Sequence, residues 1–270
     1  NAPPTITCPA NAVDVTDPGL CSTLVPNINA TVTDNCPNPG VVFELFGATT
    51  GQFTGQASNA VPFNAGVTTV KYAVSDGTNE VSCTFTVTVQ DNQLPTASNP
   101  PPINNADCAI DLPAPDPSVV TNEADNCGIP TVTFFKDSIV TGAGCPGSPQ
   151  TVIRIYRVVD AFNNAVRVFQ TITAVDNIAP QFTSVPPALT VSCDAVPPVG
   201  QPLAVDNCSN VVSVQYLGEA RTNGPCDESY LLTRRWSASD VCANVTYVEQ
   251  TIQVQDVVQP QITAPPADVT

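Results

Sequence analysis

The tripeptide Asp-Asn-Cys occurs three times in this chain, at Asp34-Asn35-Cys36, Asp125-Asn126-Cys127 and Asp206-Asn207-Cys208, spaced 91 and then 81 residues apart. A second set of echoes keeps the same period. Val89-Gln90-Asp91, Ala174-Val175-Asp176 and Val254-Gln255-Asp256 each close an alternating stretch, and each precedes a proline four residues on: Pro95, Pro180 and Pro260. Self-similarity at a fixed period is the mark of an array built from one structural unit. The echoes divide the 270 residues into modules at 1–92, 93–177 and 178–257, with 258–270 opening a further repeat, so the chain is expected to be a segment of a longer polypeptide.

Modules of this size cannot bury a large core, which gives the eleven cysteines their meaning. Cysteines at repeating positions in small units read as a disulfide framework, and hence as export to an oxidising compartment. A zinc site would call for CxxC pairs or cysteine–histidine clusters, and the chain contains no histidine. The same absence removes the commonest general base, so no catalytic residue is assigned and the chain is not expected to be an enzyme. With 24 acids against 8 bases the net charge is −16, which disfavours nucleic acid or an anionic membrane as a partner. No apolar run approaches the roughly 20 residues that span a bilayer.

The end of each module is its most regular part. Val67 to Val89 alternates in period two on both sides of Asp76-Gly77-Thr78-Asn79, the pattern of a β-hairpin. The hairpin recurs as Thr151–Val159 and Val166–Thr173 around Asp160–Asn164, and as Leu231–Ala238 and Val245–Val254 around Asp240–Asn244. Upstream, short β-branched runs are punctuated by 28 prolines and 14 glycines, with no sustained helical period. Several short strands per module predict an all-β sandwich, its inner face lined by Val70, Tyr72 and Val74 on one strand and by Phe85, Val87 and Val89 on the next. Trp236, on the equivalent strand of the third module, is expected in the core.

Module one resembles the hyalin repeat, through Ile6-Thr7-Cys8-Pro9, Asp34-Asn35-Cys36, Gly66-Val67-Thr68-Thr69-Val70 and Cys83-Thr84-Phe85-Thr86-Val87. Module three resembles the four-cysteine variant found in large surface proteins of the Bacteroidetes, through Val191-Ser192-Cys193-Asp194, Asp206-Asn207-Cys208, Gly224-Pro225-Cys226 and Ser239-Asp240-Val241-Cys242. Module two is similar, with Phe162 where Cys242 would align. The resemblance implies tandem immunoglobulin-like β-sandwich modules, used as repeating units of adhesins, gliding-motility filaments and extracellular stalks.

Sandwich geometry favours Cys208 with Cys242, which leaves Cys193 for Cys226; by analogy Cys108 pairs with Cys145, and Cys127 is left unpaired. In module one the hyalin-type resemblance implies Cys8 with Cys83 and leaves Cys21 for Cys36, and Cys36 with Cys83 stays open as an alternative. The junctions Asp91-Asn92-Gln93-Leu94-Pro95 and Asp176-Asn177-Ile178-Ala179-Pro180 resemble the Asp-Asn-x-x-Pro junctions of cadherin-like arrays. Asp91, Asn92, Asp176 and Asn177 are therefore candidate calcium ligands, joined by a loop acid such as Asp34, Asp125 or Asp206. The alternative is ordinary turn chemistry before proline, and no cofactor is required.

Short proline-rich linkers resist bending, so an extended rod is expected. The reading that follows is a tension-bearing spacer in a long secreted filament or adhesin at a bacterial cell surface. Its partners are neighbouring repeats and other chains of a fibre, with a distal tip that binds glycan or protein. The alternatives are a carbohydrate- or protein-binding module, or accessory repeats of a secreted hydrolase.

Overall fold

A computed structural model describes residues 2–35, 39–108, 112–225 and 229–256. Cys36, Cys226 and the expected start of a fourth repeat at 258–270 lie outside the described residues.

The first repeat contains β1 (Thr5–Thr7), β2 (Ala12–Val15), β3 (Ser22–Leu24), β4 (Thr31–Thr33) and β5 (Gly40–Gly47). It continues with β6 (Gly51–Thr54), β7 (Pro62–Asn64), β8 (Gly66–Ser75) and β9 (Glu80–Gln90). The second contains β10 (Thr96–Ser98), β11 (Ile103–Ala106), β12 (Thr121–Ala124), β13 (Thr131–Thr141), β14 (Gln150–Val159) and β15 (Ala165–Ala174). The third contains β16 (Gln181–Ser184), β17 (Leu189–Ser192), β18 (Leu203–Val205), β19 (Ser213–Asn223), β20 (Tyr230–Ser239) and β21 (Val245–Gln255). The chain is all-β, a tandem of immunoglobulin-like sandwiches, and a single 3-10 turn at Pro117–Val119 is its one helical element among the described residues.

Every sheet draws its strands from one repeat. The large sheets run β2-β9-β8-β5-β6, β11-β15-β14-β13 and β17-β21-β20-β19; the small ones are β1-β4, β3-β7, β10-β12 and β16-β18. In each repeat an early strand pairs parallel with the last: β2 with β9, β11 with β15, β17 with β21. The central hairpins are antiparallel, β8 with β9 and β20 with β21 in ten-residue registers. Their turns need one residue with positive φ, supplied by Gly77, Asn163 and Ala243.

Alternation decides the core. Val70, Tyr72 and Val74 are fully buried, with Phe85, Val87 and Val89 at 5% exposure or less, and all of these but Val74 share one core cluster with Val25, Ile28, Ala30 and Phe63. Each such side chain contributes about 1.5–3 kcal/mol on burial. The Tyr72 hydroxyl donates to the Ile28 carbonyl at 3.0 Å and accepts from the Ala57 N–H at 2.7 Å, so its polar end is satisfied inside.

Repeats two and three change one layer of that pattern. Where Val70 faces Phe85 in the first repeat, Arg234 faces Gln250 in the third, and Arg154 and Gln170 hold the matching places in the second. All four are at most 4% exposed. Arg154 forms a bidentate pair with Asp137, 2.9 Å for each bond; Arg234 donates to Glu219 and to the carbonyls of Pro197 and Pro198. Gln170 and Gln250 donate to the carbonyls of Pro101 and Pro187. Along β14 and β15 this polar step divides the buried apolar residues into two clusters, Val120-Tyr156-Val158-Val168 and Ala106-Val152-Ile172-Ala174. Trp236, 2% exposed, is core as expected.

The chain packs as two compact units: Asn1–Pro101, Pro115–Asp137 and Arg154–Gln170 form one, and Pro102–Ala114, Ser138–Ile153 and Thr171–Thr270 the other. The junction that follows Asp91 lies wholly within the first unit, and the junction that follows Asp176 within the second.

Candidate functional site

Each junction is built around the aspartate that follows the last strand of a repeat. Asp91 comes directly after β9 and is 4% exposed. Its Oδ1 accepts from the Thr16 hydroxyl at 3.3 Å, the Gln93 N–H at 3.2 Å and the Asn126 amide at 3.1 Å. Its carbonyl accepts from Nδ2 of Asn164 at 2.9 Å. Asn164 is aimed by the turn it closes, because Asp160 Oδ1 accepts the N–H groups of Phe162 and Asn164 while Oδ2 accepts Asn164 Nδ2, each at 2.8 Å. The second junction repeats this. Asp176 is 3% exposed, its carbonyl accepts from Asn244 Nδ2 at 3.1 Å, and Asp240 holds Asn244 as Asp160 holds Asn164.

The Asp-Asn-Cys loops of repeats two and three complete the junctions. Asp125 Oδ2 caps the Cys127 N–H at 2.9 Å, and Asp206 Oδ1 caps the N–H groups of Cys208 and Ser209 at 2.9 and 2.8 Å. These side-chain-capped turns present the cysteine and its neighbouring asparagine to the preceding repeat: Asn126 Nδ2 donates to the Leu20 carbonyl at 2.9 Å, and Asn207 Nδ2 lies 3.3 Å from Cys108 Sγ.

The disulfides follow from that presentation and correct most of the expected pairings. Cys8 is bonded to Cys83 within the first repeat, with Cα atoms 5.9 Å apart. Cys21 is bonded to Cys127 instead of Cys36, and Cys127 is therefore not a free thiol. Cys108 is bonded to Cys208 instead of Cys145, and Cys145 to Cys242, so that Cys208 and Cys242 are not partners. The three bridges each join one repeat to the next, with Cα separations of 4.7, 5.3 and 5.0 Å. The physical reason is placement: Cys208 and Cys242 of the third repeat meet Cys108 of the second around one small cavity at their junction, and the bonds form across it. Cys193 is an exposed free thiol, and its expected partner Cys226 lies outside the described residues.

Carboxylates converge at both junctions. A carboxylate oxygen of Asp91 and one of Asp125 lie within 4.8 Å of each other beside Cys127, and the same holds for Asp176 and Asp206 beside Cys208. Asp91 Oδ2, Asp125 Oδ1, Asn126 Oδ1, Asp176 Oδ2 and Asp206 Oδ2 are buried with no hydrogen-bond partner, as is Asp34 Oδ2 in the first Asp-Asn-Cys loop. Burial pushes the Asp176 carboxyl above the ordinary aspartate range; the Ile178 N–H opposes this, and the charges of Asp206, Asp240 and Asp107 add to it. Of the expected calcium ligands, Asp91 and Asp176 are at these centres with the loop acids Asp125 and Asp206, whereas Asn92 and Asn177 are exposed. The asparagines that reach across the junctions are those of the second and third Asp-Asn-Cys loops, half-buried Asn126 and exposed Asn207, and their spacing in sequence gives no sign of it.

No family model matches the chain, and no curated protein matches it. Among solved structures it is similar to the protocadherin gammaB4 extracellular domain at 12% identity, covering 94% of this chain and 51% of that one, with a TM-score of 0.33. It is also similar to mouse protocadherin-24 EC1-3, at 14% identity, 94% and 100% coverage and a TM-score of 0.28. A third is Drosophila OTK extracellular domains 3-5, at 10% identity, 92% and 95% coverage and a TM-score of 0.26. The chain thus spans about half the length of the protocadherin gammaB4 chain.

Proposed function

We propose that this chain is a non-catalytic repeat segment of a long secreted filament or adhesin at a bacterial cell surface, a spacer that bears tension and projects a distal binding tip. Its modules are the hyalin-type repeats 1–92, 93–177 and 178–257, and gliding motility or cell adhesion is the setting such a filament serves.

The observation that carries this reading is that consecutive repeats are joined by disulfides in addition to the peptide chain. A bridge confined to one small domain compensates for a small core. A bridge across a junction does something else, since it gives pulling force a covalent route that bypasses most of each sandwich and passes only through β1, β2, β13 and β21. Through the bridges of the described residues, the shortest such route runs from Asn1 to Cys21, crosses to Cys127, continues to Cys145, crosses to Cys242 and ends at Thr270. It contains about 66 residue steps, or about 230 Å when taut, against about 900 Å for the fully extended 270-residue chain.

Stretching the oxidised chain between its ends in a single-molecule force experiment tests the proposal. The expected limit of extension is near 230 Å, rising towards 900 Å after reduction. An oxidised chain that extends several hundred ångströms beyond the shorter limit defeats the tension-bearing role.

A further inference from the structure

We infer that each junction is a binding site for a hard divalent cation of the calcium type, held by Asp91 and Asp125 at the first junction and by Asp176 and Asp206 at the second. The inference goes beyond the spacer role and does not depend on it, because it rests on the local geometry of oxygen atoms.

Four carboxylates are arranged as two pairs, each pair with an oxygen-to-oxygen separation within 4.8 Å. Asp91 and Asp176 are 4% and 3% exposed, and each of the four acids has one buried oxygen without a donor. Two like charges brought together out of water repel unless a proton or a cation lies between them. Lys71–Glu44, Arg154–Asp137, Arg234–Glu219 and Arg235–Glu249 are ion pairs of the described residues, and none of these brings a lysine or arginine to a junction. The remaining oxygens of the four acids are already held by N–H, amide or hydroxyl donors, so the unpartnered ones are fixed in place. Preorganised, partnerless acceptors recurring at two separate junctions describe a site; an acidic surface would leave its carboxylates to water.

The donor chemistry selects the ion. Cys127 and Cys208 stand beside the carboxylates, but their sulfurs are bonded to Cys21 and Cys108 and offer no thiolate. What remains is oxygen, joined at the first junction by the partnerless Oδ1 of Asn126. Oxygen-only sets suit hard cations, and calcium accepts an irregular shell of six to eight oxygens completed by water, whereas magnesium demands a near-ideal octahedron. At the second junction a cavity of about 80 Å³, lined in part by Asp107, Asp176 and Cys208, has room for such waters. Two carboxylates per ion place the affinity in the range of extracellular modules, a Kd of about 10⁻⁴–10⁻³ M.

The test is calcium titration of the intact oxidised 270-residue chain by calorimetry at pH 7.5, after exhaustive chelation. Two ions per chain are expected, reduced to one by Asp125→Asn and by Asp206→Asn singly and to none by both, with magnesium at least about tenfold weaker. Each variant is checked for its three inter-repeat disulfides by mass mapping. Independently of any variant, calcium should shift the NMR side-chain amide signals of Asn126 and Asn207 in the unaltered protein. Absence of binding at 10-fold the expected Kd, a stoichiometry indifferent to both substitutions, or amide shifts confined to residues away from the junctions would each overturn the inference. So would carboxyl signals showing that each pair holds a shared proton at pH 7.5 in saturating calcium.

Discussion

Asn164 donates from Nδ2 to the main-chain carbonyl of Asp91 at 2.9 Å, so the hairpin turn of the second repeat grips the residue that ends the first. Asn244 and Asp176 repeat the relationship at 3.1 Å. Replacing Asn164 by alanine leaves that carbonyl and Asp160 Oδ2 each short of a donor, at an expected cost of about 1–3 kcal/mol. Denaturant unfolding of the oxidised chain measures it, and a loss below a few tenths of a kcal/mol would show the contact to be idle.

Proteolysis without reduction, followed by mass spectrometry, should recover peptides joining Cys21 to Cys127, Cys108 to Cys208 and Cys145 to Cys242. The pair of substitutions Cys21→Ser and Cys127→Ser should lower stability by about 2–4 kcal/mol, since that bridge spans 106 residues. Recovery of a peptide joining Cys108 to Cys145 would contradict the fold at the second junction.

Arg154 and Asp137 should respond unequally to mutation. Asp137→Ala strands a guanidinium that is 2% exposed, and is expected to cost about 2–3 kcal/mol, at the low end because Asp137 itself is 28% exposed. Arg154→Met removes the buried charge and places an apolar chain beside Val152 and Tyr156, with little loss or a gain. Equal losses in thermal melts would mean that packing, not charge, governs this layer.

Asp76 carries a pH dependence of predictable sign. The Asn79 N–H, then the Thr78 N–H and the Asn79 side chain, hold its carboxyl below the ordinary aspartate value. A depressed folded-state value means that the turn's contribution is complete above the unfolded-state value and is lost as pH falls through the folded one. Carboxyl-carbon NMR should find Asp76 titrating below an unstructured aspartate. A value at or above that reference refutes the capped turn.

The hairpins were legible because alternation is local: Val70, Tyr72 and Val74 point inward for the same reason that they occupy every second position. The same rule failed at Arg154 and Arg234, where a buried charge sits on an apolar stripe and its partner, Asp137 or Glu219, lies on a different strand. The cysteine partners were illegible for a related reason. Spacing orders residues along one repeat and says nothing about which end of a sandwich meets its neighbour. One signal was present, since the second repeat holds three cysteines, Cys108, Cys127 and Cys145, and an odd number cannot be closed internally. The junction acids were more visible: Asp91 and Asp176 stand out as the end of each alternating run, and the Asp-Asn-Cys loops offer Asp34, Asp125 and Asp206 to join them, although only folding decides which loop acid meets which junction.

The parallel pairing of β2 with β9 and of β17 with β21 determines how a repeat yields once its bridges are opened. Pulling the two ends of such a domain apart slides these neighbouring strands lengthwise in opposite directions. Their four aligned residue pairs are then loaded in shear and must rupture together, whereas an antiparallel edge would unzip one bond at a time.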